Sequence, residues 1–338
     1  MTAESPKPGS VHATPALPAG EPVWRALLGS TVAGPLVALL LACLVFSLGT
    51  RTFLRAENIS LIFQQSVVVG TLALGQTLII LTAGIDLANG SIAVLGMVVM
   101  AKYVVEGGDP IVALLLGFVV CMVMAAISGT IVSRFNLPPF IVTLGMLTAI
   151  AASTRLYSSS ASYTVPPSLL TWLGNSIKVG GATVPYSIFV WLALFAVAHY
   201  ALTQTAAGRH LFAVGDNIEA ARLAGINVRR TLLSVYVVAG AIYAIGAWEA
   251  LGRIPVADPN GYSTANLDSI TAVVIGGTSL FGGRGGVFGT LIGTLIVAVL
   301  ANGLTQANID SLYQQVAIGI LVIVAVAVDQ LVRRRRAS

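Results

Sequence analysis

The sequence predicts an all-α polytopic membrane protein of about ten transmembrane helices with both termini cytoplasmic. Three observations carry that fold class. Hydrophobic residues make up 56 % of the 338 and charged residues only 9 %, against roughly 25 % charged in a soluble domain. The apolar residues come in long uninterrupted runs, and the few basic residues fall unevenly between those runs. So little charge cannot cover a water-facing surface, which excludes a soluble enzyme, a secreted scaffold and a disordered chain. The 35 glycines fit the same class, because glycine is commoner in transmembrane helices than in soluble ones.

The elements follow in order. Residues 1–24 are polar and proline-rich and lack the basic start and apolar core of a signal peptide. They are expected to be a disordered cytoplasmic tail before a single membrane domain over 25–332 and a basic tail over 333–338. A spanning helix needs about 20 mostly apolar residues. Candidate spans lie at 27–49, 59–83, 88–105, 110–133, 138–157, 184–204, 231–252, 268–282, 286–305 and 312–332. The third and eighth are short or glycine-interrupted and read equally as half-helices or re-entrant segments.

Loops on the cytoplasmic side carry the excess of Lys and Arg. With ten crossings and the N-terminus inside, Lys7, Arg25, Arg134, Arg209, Arg222, Arg229, Arg230, Arg284 and Arg333 to Arg336 fall inside. Only Arg51, Arg55, Lys102, Arg155, Lys178 and Arg253 remain, completing the 18. Losing one weak span would split the Arg209–Arg230 loop from the Arg333–Arg336 tail, whereas losing both keeps the parity, so eight remains open beside ten. The net charge of +5 is thereby read as membrane orientation, with no nucleic-acid partner. Cys43 and Cys121 sit inside apolar runs and read as small packed residues.

Two loops are long. Residues 158–183 are rich in Ser and Thr and fall outside, as a connector or as the carrier of a short helix. Residues 205–230 are basic and fall inside. There, Asp216 or Asn217 can cap a helix through its side-chain oxygen. Ile218 to Leu223 make about two turns, and Gly225 suits the left-handed position that ends them. This short amphipathic helix reads as a docking element for a partner or as a surface helix on lipid headgroups.

Asp86 is the other conspicuous residue, since a carboxylate in an apolar stretch is costly. Gly84 and Gly90 flank it, so it reads as a cap at a helix break or, with Asn89, as part of a hinge or gate. The glycine-rich run 275–289 has no Gly-Lys pair and no G-x-G-x-x-G spacing, so it is no phosphate loop. Gly276, Gly277, Gly282 and Gly283 are expected to make a tight turn and close helix packing. A gapless alignment of 82–96 with 275–289 matches Gly84 to Gly277 and Gly90 to Gly283, so an internal duplication stands beside chance. Gln64, Gln65, Gln76, Asn302 and Gln306 lie within spans, suited to a neutral polyol or to interhelical bonding. Glu249 and Asp329 are expected at span ends, reaching the interface. No catalytic set and no metal-ligand spacing stands out.

The strings GQTLIILTAGIDLANGS (75–91), LPPFIVTLGMLT (137–148), AVGDNIEAARLAGINV (213–228) and AVVIGGTSLFGGRGGVFGTLIG (272–293), with NGL at 302–304, resemble the permease subunit of ribose-type ABC importers. The resemblance runs from about 30 to 332. The family commonly reads Gly-Gly-Ile-Asp-Leu-Ser-Val-Gly where this chain has Ala83-Gly84-Ile85-Asp86-Leu87-Ala88-Asn89-Gly90. Asn89 in place of an apolar residue leaves a tuned path or a changed substrate open.

The resemblance implies an inner-membrane homodimer that imports a monosaccharide or related polyol. A periplasmic sugar-binding protein delivers the solute, and a separate cytoplasmic ATPase holds ATP and Mg, this chain binding no cofactor. It implies that 213–228 is the coupling segment, with Gly215, Asn217, Glu219, Ala220, Ala221, Arg222, Leu223 and Gly225 contacting the ATPase. A branched-chain amino acid permease is the runner-up, and a self-sufficient secondary transporter or channel a second alternative.

Overall fold

The computed structural model describes residues 32–310, 312–320, 323 and 327. The expected tails over 1–24 and 333–338, the start of the first span and most of the last lie outside them. The described chain is a helical bundle: α1 (Ala33–Gly49), α2 (Ala56–Leu81), α3 (Asn89–Val105), α4 (Pro110–Phe135), α5 (Pro139–Ser158), α6 (Tyr186–Gln204), α7 (Ala206–Asp216), α8 (Ile218–Leu223), α9 (Val228–Arg253), α10 (Ala265–Ile275) and α11 (Val287–Gln306). Residues 312–320 are helical again. Six helices, α2, α4, α5, α6, α9 and α11, are long and apolar enough to cross a membrane. Helices α1, α3 and α10 are apolar but shorter, at 17, 17 and 11 residues.

Helices α2, α3 and α9 form the core, with α9 packed along both α4 and α2, and α11 against α2 and α10. Their buried faces hold Tyr236, Tyr243, Leu72 and Met100, and Trp191 of α6 packs in against Gly70. Helices α1, α4, α5 and α6 stand at the perimeter and expose Leu48, Leu115, Leu156 and Val197. A band of exposed aliphatic side chains of this extent suits lipid rather than water.

Local chemistry sets the helix ends. Asp109 Oδ1 accepts from the N–H groups of Ile111 and Val112 ahead of Pro110, and Asn136 closes α4 in the left-handed conformation. Helices α2 and α10 end in the same way. After α2, Ala83 N donates to Ile80 O and Gly84 N to Ile79 O; after α10, Gly277 N donates to Val274 O and Thr278 N to Val273 O. The left-handed residues are Ala83 (φ 61°) and Gly277 (φ 84°). The gapless alignment pairs Gly277 with Gly84 instead, so it is not a structural equivalence: the second break, ending at Val287, is longer than the first, ending at Asn89.

The all-helical expectation has one exception. Two short ribbons lie at the end of the bundle away from the basic loop. Strand β1 (Tyr163–Thr164) pairs with β4 (Val256–Ala257), and β2 (Ser176–Val179) pairs with β3 (Ala182–Pro185). The β2–β3 hairpin turns on Gly180 and Gly181, both at positive φ, as a two-residue hairpin turn requires. A single 3-10 turn, Leu169–Gly174, is the helix within the long 158–183 loop. It seats on α9, where Trp248 Nε1 donates to Leu169 O.

Candidate functional site

The short helix expected over Ile218–Leu223 is present with those bounds. Asn217, rather than Asp216, caps it: its Oδ1 accepts from Ala220 N at 3.0 Å. At the other end Gly225 N donates to Arg222 O and Ile226 N to Ala221 O, with Gly225 at φ 82°. The residues of this segment divide by what they face. Ile218, Glu219, Ala220, Arg222 and Leu223 are exposed, and Leu223 is 89 % accessible. Ala221 is buried at 3 %. Gly215, on α7, is buried too.

Gly215 sits where three segments touch backbone to backbone. A Cβ on it would lie 1.8 Å from the Leu81 carbonyl oxygen and 2.8 Å from Gly283 N. A Cβ on Gly282 would lie 2.7 Å from Gly215 O and from Ala83 N. Gly283 N donates to Leu81 O at 3.0 Å. The loop bearing the docking helix therefore abuts both helix breaks, the one at 82–88 and the one at 276–286. Gly276 has a separate part, its backbone lying against that of Gly289 where α10 crosses α11.

From the first break the chain turns back into the bundle. Gln76 lies against it; with its amide oriented to satisfy both groups, its nitrogen donates to Asp86 O at 2.9 Å and its oxygen accepts from Asp86 N at 3.2 Å. Asp86 is fully buried. Its Oδ1 accepts from Ala88 N at 2.8 Å, and Tyr243 on α9 donates to its Oδ2 at 3.1 Å. The carboxylate thus ties the turn before α3 to the central helix. Asn89 Oδ1 accepts from Gly90 N, and its Nδ2 donates to Ser269 Oγ at 2.7 Å, linking the first break to α10.

Glu249 departs from expectation. Instead of reaching an interface it is fully buried, its Oε2 accepting from Thr71 Oγ1 at 2.6 Å. The 3-10 turn covers this end of α9: a Cβ on Gly174 would meet Gly252 O.

The remaining amides are not brought together. Gln64, with Ser60, donates to Thr183 O and borders a cavity of about 60 Å³ beside Glu249. Gln65 is half-buried on α2. Gln306 binds Thr52 and Asn58, and Asn302 is buried at 3 %.

A larger cavity, about 370 Å³, lies elsewhere, between the start of α3, the second half of α5 and the segment 259–266. Ser91, Thr154, Arg155, Asn260, Tyr262, Ser263 and Asn266 are its polar lining. Of the residues singled out in the sequence, Gly90 alone borders it. Burial raises the Tyr262 phenol above its ordinary value, with Arg253 beside it pulling the other way, so the phenol remains a donor at neutral pH. Its lining comes from three stretches far apart in the sequence, 90–94, 147–155 and 259–266, so no local pattern pointed to it.

Comparison with known proteins gives the chain its family. The family model for the permease component of branched-chain amino acid transport systems matches residues 58–326. The fructose import permease protein of Rhizobium meliloti is 43 % identical over 316 residues, covering 91 % of this chain and 88 % of that protein. The chain belongs to the ABC-importer permease family, in its sugar-permease group. The ribose import permease protein of Bacillus subtilis is 35 % identical, with 88 % and 92 % covered. The D-allose transport system permease protein of Escherichia coli K12 is 34 % identical, with 85 % and 88 % covered. No solved structure matches the chain. The permease is thus a multi-pass inner-membrane protein and a transport component rather than an enzyme.

Proposed function

We propose that this permease pairs with a second copy to form the alternating-access pathway of an ATP-driven monosaccharide importer. A periplasmic binding protein delivers the sugar, and a cytoplasmic ATPase, holding ATP and Mg, docks on α8. In this reading the chain crosses the membrane ten times with both termini and the Arg209–Arg230 loop inside. Helices α3 and α10 count as crossings that end at breaks. The domain division (a cytoplasmic tail over 1–24, the permease domain over 25–332, a basic tail over 333–338) belongs to the same proposal.

One observation carries it: the backbone junction of Gly215, Leu81 and Gly283. Helix α7, which leads through Asn217 into the α8 that presents Ile218 and Leu223 outward, meets both breaks backbone to backbone at Gly215. Movement imposed on α8 would pass through α7 to α2 and the segment after α10, which is what nucleotide-driven switching of a membrane path requires. The secondary-transporter alternative needs a titrating carboxylate in the path. Asp86 is instead engaged by Ala88 N and Tyr243, as a structural cap would be, and the other buried carboxylate, Glu249, is held by Thr71 Oγ1 under the 3-10 turn. A sugar is favoured over a branched-chain amino acid by the printed substrates of the relatives: fructose, ribose and allose.

The test is reconstitution. The permease, ATPase and binding protein together in vesicles are expected to take up fructose or ribose only with ATP, and the permease alone not at all. Concentrative uptake by the permease alone overturns the proposal.

A further inference from the structure

We propose that the 370 Å³ cleft between α3, α5 and the 259–266 segment is a sugar-binding station inside the permease, with Asn266 and Tyr262 selecting the sugar; this rests on the importer reading above.

The volume falls in the range of small-ligand sites, about 300–1,000 Å³. The decisive group is Asn266. The residue is only 7 % exposed, and its side-chain oxygen has no hydrogen-bond partner among the described residues. Buried acceptors are almost always paired; this oxygen is closed off from solvent while its residue lines the cleft. A ligand hydroxyl that reaches it as the Asn266 side chain turns into the cleft would supply the donor it lacks. Around it stand a phenol (Tyr262), two serine hydroxyls (Ser91, Ser263) and a second amide (Asn260), set among Val94, Leu147 and Pro259. Such a lining offers donors and acceptors to a ring bearing several hydroxyls and an apolar surface to its C–H face.

The charge pattern excludes the competing solute class. Arg155 lines the cleft, but no Asp or Glu does. The ammonium group of an amino acid would therefore be desolvated without a carboxylate to meet it, a costly arrangement. A neutral polyhydroxylated solute carries no such charge.

The cleft is also wired to the docking end. Gly90 borders it, and a Cβ there would stand 3.4 Å from Asn266 N and from Tyr262 O. One residue earlier, Asn89 holds Ser269 on α10. The segment that leaves the Leu81–Gly283 junction thus ends in the cleft lining, so a shift at the junction changes the space between Gly90 and Asn266.

The experiment uses the complete importer in ATP-loaded vesicles, with radiolabelled D-fructose, D-ribose and L-leucine as probes. In a background with Cys43 and Cys121 replaced by alanine, Ala151→Cys places a thiol on the cleft wall. Saturating sugar is expected to slow its maleimide labelling severalfold, and leucine to leave it unchanged. Asn266→Leu is expected to cut sugar uptake about tenfold, the loss of one hydrogen bond to a hydroxyl, while binding-protein-stimulated ATP hydrolysis persists. Sugar uptake with unprotected labelling, or with full uptake by Asn266→Leu, overturns the station and leaves the importer reading standing. Wild-type uptake of leucine and of neither sugar overturns both. If Asn266→Leu fails to fold, the labelling experiment decides alone.

Discussion

Gly283 donates its N–H to the carbonyl of Leu81 at 3.0 Å, joining the break after α10 to the end of α2. The last carbonyls of a helix have no partner within it and ordinarily turn to water or a cap. At Leu81 another break supplies that partner, and the backbone of Gly215 presses against the same oxygen. One peptide group is thereby shared by α7 and both breaks. Rotation of α7 would bear on it, because at Gly215 no side chain lies between to absorb the motion.

Gly215→Ala tests this coupling. Its methyl group would stand 1.8 Å from Leu81 O, a backbone atom that cannot swing aside. We expect a stability loss of about 1–3 kcal/mol from overpacking. Sugar-stimulated ATP hydrolysis should weaken about tenfold, in the range of a typical coupling free energy. Stimulation at the wild-type level, measured on the reconstituted importer, would remove the junction from the transmission path.

The docking surface is tested by contrast between neighbours. Leu223 is 89 % exposed and Ala221 3 %. Leu223→Asp should leave the melting temperature of the permease nearly unchanged, within about 0.5 kcal/mol as surface changes usually are, yet abolish co-purification with the ATPase. Ala221→Asp should instead destabilise the permease itself by about 2 kcal/mol or more, from a buried unpaired charge. Retained ATPase binding by Leu223→Asp would move docking off α8.

Helix α8 was legible residue for residue because its signals are local: Asn217 bonds a group three residues on, and Gly225 fixes its own φ. The weak third and eighth spans were legible for a related reason, since glycine interruptions shorten α3 and α10 directly. The cleft was not legible, because its lining comes from 90–94, 147–155 and 259–266, which only the packing of α3 against α5 and α10 brings together. Glu249 was misplaced by a similar blindness. Its position near the end of an apolar run suggested an interface, but the 3-10 turn from a distant loop folds over it.

Ala83 offers a stabilising change. It holds φ 61° at the end of α2, a conformation that costs an L-residue roughly 1–2 kcal/mol. The family pattern places glycine there. Ala83→Gly should raise permease stability by about 1 kcal/mol net of the extra freedom glycine gains when unfolded, read as a higher midpoint in thermal unfolding. A lower midpoint would mean that the Ala83 methyl, which faces Gly282, contributes more packing than its backbone costs.

Asp86 separates a structural carboxylate from a transported charge. If it serves as the cap before α3, Asp86→Asn keeps an oxygen for Ala88 N and leaves its amide opposite the Tyr243 oxygen, which can accept as well as donate. That variant should keep most ATP-driven uptake and lose about 1 kcal/mol of stability, the difference between a charged and a neutral hydrogen bond. Asp86→Leu should lose both partners at once, stranding Ala88 N and the Tyr243 hydroxyl inside the bundle, at a cost of about 2–5 kcal/mol. Tyr243→Phe should fall between the two, since Asp86 keeps Ala88 N. Uptake and unfolding measured on the three variants distinguish the roles: graded stability with uptake preserved in Asp86→Asn marks a cap, whereas abolished uptake in a stably folded Asp86→Asn would show that the negative charge itself is needed in the path.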